Sequence, residues 1–198
     1  MTQIGLFGGT FDPIHVGHLS AANAAAHALG LDQVLFVVAH RPWQKVASRT
    51  IASSHLRLAM VAAATADRDD FVACSIEIDR GGSSYTIDTV EELAAGDPGA
   101  SFVLVVGSDV VADLATWHRH SELGALVTLC IIDRPGDVGV EPPPGWTFER
   151  VAAPLVALSS TQLRDRLAAD EPVDYLVPKA ALDVYRSWHD ESEQPDES

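Results

Sequence analysis

Basic residues are scarce in this chain: 13 Lys and Arg stand against 28 Asp and Glu, a formal net charge of −15 at pH 7. Nucleic acid and anionic membrane both require a basic face, so neither is expected as a partner. Long hydrophobic runs are missing too, since the longest reach only six or seven residues, well short of a bilayer span. No charged-then-apolar leader precedes Gly8, so no signal peptide is expected and a cytoplasmic protein is. Only two cysteines occur, Cys74 and Cys130, each isolated in an apolar, strand-like stretch. That excludes a disulfide framework or a zinc ribbon and predicts buried free thiols. With 198 residues, 47% of them hydrophobic, the chain can bury one sizeable core and has no room for a second catalytic domain. The expected layout is a single domain over 1–189 and an acidic disordered tail over 190–198, which has no apolar residue to bury. Whether the chain forms a homo-oligomer stays open.

What is present is organised around Gly8-Gly9-Thr10-Phe11-Asp12-Pro13-Ile14-His15-Val16-Gly17-His18, between an apolar run at Ile4 to Phe7 and an alanine-rich segment, 19–29. The stretch reads as strand, glycine turn, helix. Glycines let backbone approach a ligand closely, and a helix opening beyond them turns unpaired N–H groups and a partial positive charge toward it. His15 and His18 are read as one turn apart on a single helix face, with Gly17 leaving no side chain to block a shared ligand. Three readings compete. A metal would need further ligands, and no Cys/His cluster or His-Glu-x-x-His pattern supplies them. Histidines at a helix start also serve as capping and surface residues. The third reading is a phosphate pocket, in which the imidazoles donate to phosphate oxygens beside the backbone of Gly8 and Gly9 and the Thr10 hydroxyl.

Along the chain, the helix in 19–29 stops at Gly30. Val34–Val38, Phe102–Val106 and Val127–Ile132 are uninterrupted apolar runs, the pattern of strands buried on both faces. Helical spacing falls between them, over 53–66 and 86–95, so strand and helix alternate and the expected fold is α/β, a Rossmann-like open parallel sheet with helices on both faces. Pro135–Trp146 reads as a loop, with short helices over Thr161–Ala169 and Pro178–Trp188. Several segments carry polar chemistry with a bland alternative. The cations of 40–49, Lys45 among them, face the ligand crevice or are merely solvated. Ser84 or Thr86 caps a helix or meets a ligand, and Asp109, after Gly107-Ser108, caps a helix or accepts from ribose hydroxyls. Trp117 stacks on a flat ring or fills core. Ser159, Ser160 and Thr161 cap a helix or, with Arg164 one turn on, hold an anion.

The string from Gly8 to His18 resembles the signature of the His-x-Gly-His nucleotidyltransferases, and within them the bacterial nicotinate-nucleotide adenylyltransferases. Ser84-Tyr85-Thr86-Ile87-Asp88-Thr89, Gly107-Ser108-Asp109, Leu114-Ala115-Thr116-Trp117, Ile132-Asp133-Arg134-Pro135 and Leu158-Ser159-Ser160-Thr161-Gln162-Leu163-Arg164 resemble further segments of that family. The match spans residues 4 to about 188, leaving out 136–147 and the tail. Trp43-Gln44 before Lys45 departs from the family's Pro-x-x-Pro-Pro-His-Lys-like loop.

The resemblance implies adenylyl transfer from ATP to nicotinate mononucleotide, giving nicotinate adenine dinucleotide and pyrophosphate. His15, His18, Lys45 and Arg164 are then the catalytic residues. Gly8, Gly9, Thr10, Phe11, Gly107, Asp109, Ser159, Ser160 and Thr161 join the histidines and Arg164 on ATP. Thr10, Lys45, Tyr85, Thr86, Trp117 and Arg134 meet the mononucleotide. The attacking group is a phosphate oxygen already ionised at pH 7, so no side-chain nucleophile is required. Mg²⁺ is expected on ATP, with no protein side chain as its ligand.

Overall fold

The computed structural model describes residues 2–41, 51–133, 139–154 and 156–193. Among the described residues six parallel strands form one sheet: β1 (Gln3–Gly9), β2 (Gln33–Val38), β3 (Phe71–Cys74), β4 (Ser101–Gly107), β5 (Val127–Ile132) and β6 (Thr147–Val151), in the order β3-β2-β1-β4-β5-β6. The helices are α1 (Val16–Leu29), α2 (Ser54–Thr65), α3 (Ile76–Arg80), α4 (Thr86–Gly96), α5 (Ser108–Val111), α6 (His120–Leu126), α7 (Ser160–Ala168) and α8 (Lys179–Glu193). This is the Rossmann-like sheet expected, and its strand order reverses between β1 and β4.

The uninterrupted apolar runs are explained by two cores, one on each face of the sheet. Val34, Phe36 and Val38 face a core with Ala22, Ala25 and Ala26 of α1, Met60 of α2 and Leu182 of α8. Leu35 and Val37 of the same strand face a second core with Val90 of α4, Leu114 and Leu123. Alternate side chains point to opposite faces, and both faces are covered. Alanines on α1 let that helix lie close over the sheet. It ends as expected at Gly30, in the left-handed region at φ 62°, its N–H donating to the Ala26 carbonyl.

Departures from the expected elements have local causes. Gly8 and Gly9 do not form a turn; they are the last residues of β1, paired with Val37 and Val38, and the turn is Thr10 to His15. β6 lies at a sheet edge in sequence that begins where the expected loop ends, and its polar Glu149 and Arg150 hide it from a hydrophobicity reading. α3, a short helix with no counterpart among the expected elements, ends at Gly81 and Gly82, φ 69° and 72°. α8 runs on to Glu193, so residues 190–193 extend a helix where a disordered tail was expected; residues 194–198 lie outside the described residues. Among the described residues no helix is long and apolar enough to cross a membrane.

Candidate active site

A cleft of about 650 Å³ opens at the carboxyl ends of β1 and β4, where the strand order reverses. Its lining includes Gly8 to Asp12, His15 and His18 from the β1 side, Gly107 and Asp109 after β4, Tyr85, Thr86 and Trp117 on one flank, and Ser159 to Thr161 with Arg164 on the other. The described residues expected on the ligands therefore share one concavity. Lys45 and Arg134 lie outside the described residues.

The histidines are arranged differently from the expectation of two helical residues on one face. His15 is the N-cap of α1, extended at φ −147° and ψ 169°, and His18 is the third residue of the helix. Their rings stack at 3.7 Å between centroids with 27° between planes. The His15 backbone N–H donates to His18 Nδ1 at 3.2 Å. In neutral His18 that bond places the ring proton on Nε2, making Nε2 the donor. The Phe11 ring supports His18 edge-on at 5.1 Å and is itself fully buried, so its aromatic body belongs to the core. A Cβ on Gly17 would stand 3.0 Å from His15 Nδ1, so the missing side chain makes room for the His15 ring. Gly8 and Gly9 also differ. A Cβ on Gly8 would meet nothing within 4 Å among the described residues, whereas one on Gly9 would press on the Phe11 ring at 2.8 Å.

On the α7 flank, Ser159 is the N-cap: its Oγ accepts from the Gln162 N–H at 3.2 Å, and the Gln162 side chain accepts from the Ser159 N–H at 2.9 Å. This reciprocal box is the capping alternative realised, while Ser159 also borders the cleft. Ser160 Oγ donates to the Pro13 carbonyl at 3.0 Å. Arg164 donates from Nη1 to the Asp12 carbonyl at 2.5 Å and from Nη2 to Thr161 Oγ1 at 3.2 Å. These bonds tie the start of α7 to the turn after β1.

At the opposite flank the N-cap of α4 is Tyr85, with neither Ser84 nor Thr86 in that role; Ser84 Oγ accepts instead from the His40 N–H at 2.9 Å. The Tyr85 ring lies 4.5 Å from that of His118. Trp117 is half-buried, and its Nε1 has no hydrogen-bond partner among the described residues. Asp109 is the second residue of α5, whose N-cap is Gly107, so the capping alternative for Asp109 does not hold.

Three site features went unassigned from sequence. Asp12, 3% exposed, accepts from the Ala52 N–H at 3.4 Å and stands 3.7 Å from Arg164 Nη1. Arg57 is buried on α2 behind the Thr10 turn, and its signal was a cation among the apolar positions Leu56, Met60 and Val61. Burial lowers its pKa, opposed by the Asp12 carboxylate. His118, beside Trp117, lines the cleft but had no motif of its own.

A family model described as cytidylyltransferase-like matches residues 6–166. The chain is 41% identical over 186 residues to a Corynebacterium kroppenstedtii protein named "Probable nicotinate-nucleotide adenylyltransferase", covering 91% of this chain and 86% of that one. It is 43% identical over 187 residues to a Halalkalibacterium halodurans protein of the same name, covering 94% and 88%. Among solved structures it is similar to Plasmodium falciparum nicotinic acid mononucleotide adenylyltransferase complexed with NaAD, with a TM-score of 0.78 over 96% of this chain and 97% of that one. At 16% identity that likeness bears on the fold.

Proposed function

The chain belongs to the cytidylyltransferase-like family and to the nicotinate-nucleotide adenylyltransferases, and from that membership we infer how its cleft performs their reaction. It transfers the adenylyl group of ATP to nicotinate mononucleotide, giving nicotinate adenine dinucleotide and pyrophosphate, a step of NAD biosynthesis. The observation that carries the mechanism is one cleft whose flanks belong to opposite faces of the sheet: Phe11, Leu158 and Leu163, beside the histidines and the start of α7, pack with the first core, and Tyr85 and Trp117 with the second.

The phosphate end takes ATP. His18 and His15 hold the α-phosphate and the bridge to the leaving group, Thr10 and the backbone of Gly8 and Gly9 orient phosphate oxygens, and Ser160, Thr161 and Arg164 hold the β and γ groups. Gly107 and Asp109 meet the nucleoside. Ser159 acts through the cap that fixes these hydroxyls. Trp117 and Tyr85 bracket the nicotinate ring, and the first N–H groups of α4, at Thr86, meet its carboxylate. A phosphate oxygen of the mononucleotide attacks the α-phosphorus in line and pyrophosphate departs, without a covalent enzyme intermediate. The protein's part is alignment and neutralisation of phosphate charge. Lys45 and Arg134 are proposed to add phosphate and nucleotide contacts.

Mg²⁺ is proposed to arrive on ATP. The carboxylates lining the cleft are Asp12, Glu77 and Asp109; Asp12 faces Arg164 and the Ala52 N–H, and Glu77 accepts from the Thr89 hydroxyl at 2.9 Å. Phosphate and water are therefore the better ligands for a cation that dehydrates reluctantly.

Pyrophosphate release with ATP and a panel of acceptors, nicotinate mononucleotide, nicotinamide mononucleotide and phosphopantetheine, tests the reading. The nicotinate compound should have the highest kcat/KM. Equal or faster turnover of the amide would remove the carboxylate contact, and ATP binding without pyrophosphate release would make the protein a nucleotide sensor.

A further inference from the structure

The mechanism above leaves Arg57 without a task, although it is the largest fully buried side chain, at 1% exposure. Its guanidinium donates from Nη1 to the Thr10 carbonyl at 2.8 Å, from Nη2 to the Ala39 carbonyl at 2.8 Å and the His40 carbonyl at 3.4 Å, and from Nε to the Ala52 carbonyl at 2.9 Å. These carbonyls come from the turn after β1, the chain leaving β2, and the entry to α2. The Asp12 carboxylate opposes the cost of burying this cation. The same carboxylate accepts from the Ala52 N–H and faces Arg164. A buried cation is a costly way to fill space, and an apolar side chain of similar volume would do so more cheaply. What a guanidinium adds is a planar fork that fixes the directions of several carbonyls at once.

We propose that Arg57 is a positioning residue for adenylyl transfer: its fork fixes the Thr10–Asp12 turn that aligns the α-phosphate by tying it to the end of β2 and to Ala52. Fixing the Thr10 carbonyl fixes the peptide plane next to the Thr10 side chain and the Gly8-Gly9 strand end. Asp12 ties the same turn to the Ala52 N–H, and Arg57 holds the Ala52 carbonyl, so the turn and the entry to α2 are fixed as one unit. The inference rests on the assignment of this turn to phosphate.

The test compares the wild-type chain with Arg57→Lys and Arg57→Met, each shown to be folded by circular dichroism and thermal melting. Pyrophosphate release by the wild type checks the phosphate assignment independently of Arg57. Displacing the turn by about an ångström should lower kcat about 100-fold in both variants, as for misaligned reactants generally. KM for nicotinate mononucleotide should change little, because Tyr85 and Trp117 line the other flank. Lysine keeps the charge but cannot span the carbonyls, so it should recover melting temperature without recovering kcat. A folded variant with near-normal kcat, or full recovery by lysine, overturns the proposal. If neither variant folds, Asp12→Ala leaves the carbonyl bonds of Arg57 in place and removes the tie from the turn to the Ala52 N–H. It should also lower kcat, and an unchanged kcat would overturn the proposal in turn.

Discussion

His15 and His18 lie ring on ring, 3.7 Å apart, with the backbone of one donating to the side chain of the other. This makes His18 both a capping partner for α1 and the candidate donor to the reacting phosphate, so its removal has two separable consequences. His18→Ala should cost about 1 kcal/mol of stability as a lost cap. It should lower kcat by about 10²- to 10³-fold, as for one lost preorganised donor, with little change in ATP affinity. Arg164→Ala should chiefly weaken ATP, since its contact is made in the ground state as well. Steady-state kinetics and calorimetric ATP titration of the two folded variants make the comparison. Near-normal kcat in His18→Ala would reduce the stacked pair to architecture.

Trp117 offers a flat, half-buried face to the cleft on the flank away from α7. Trp117→Ala should weaken the mononucleotide by about 1–3 kcal/mol, the range for base stacking on aromatics. ATP affinity should barely move. Equal losses for both ligands would place the indole in the general packing of the cleft.

Gly8 and Gly9 are neighbours in β1 with opposite surroundings, and alanine at each should separate function from stability. Gly9→Ala drives a methyl into the buried Phe11 ring, and overpacking of this kind typically costs about 1–3 kcal/mol. Gly8→Ala meets nothing among the described residues, so the melting temperature should hold while KM for ATP rises. Chemical denaturation alongside initial-rate kinetics reads both. A Gly8→Ala enzyme with wild-type KM would show that no ligand approaches the backbone there.

Cys130 lies in the first core, and burial pushes its thiol from 9.0 up to about 12. Because the folded thiol holds its proton more tightly than the unfolded one, this contribution to stability is intact below pH about 9 and is lost as pH rises toward 12. Cys130→Val should flatten the alkaline loss of stability followed by urea denaturation across that window. If the two proteins lose stability in parallel, another group governs the alkaline limb.

The sheet was readable where packing left a one-dimensional trace. Val34–Val38 is apolar at every position because both faces of β2 are covered, and Gly30 marks the end of α1 because its backbone sits in the left-handed region. β6 left no such trace: an edge strand can expose Glu149, and Arg150 turns to Asp133 and the Val140 carbonyl. The motif located one end of the cleft, yet local spacing could not distinguish a helical His15 from an N-cap His15. The tasks of Ser84, Asp12 and Arg57 were hidden for a further reason. Their partners are His40, Arg164, and the carbonyls of Thr10 and Ala39, which only the folded chain brings near.

The bonds joining Ser160 to Pro13 and Arg164 to Asp12 bridge 147 and 152 residues of sequence. Closing so long a loop is not itself prohibitive, since each doubling of length adds only about 0.6 kcal/mol. The constraint is one of timing during synthesis. A ribosome that has released β1 through β5 has delivered Gly8, Gly9, both histidines and Trp117, but not Ser160, Thr161 and Arg164, the residues proposed to hold the departing pyrophosphate. On that proposal the growing chain presents an incomplete nucleotide site for most of its translation, and turnover waits for the segment that carries α7.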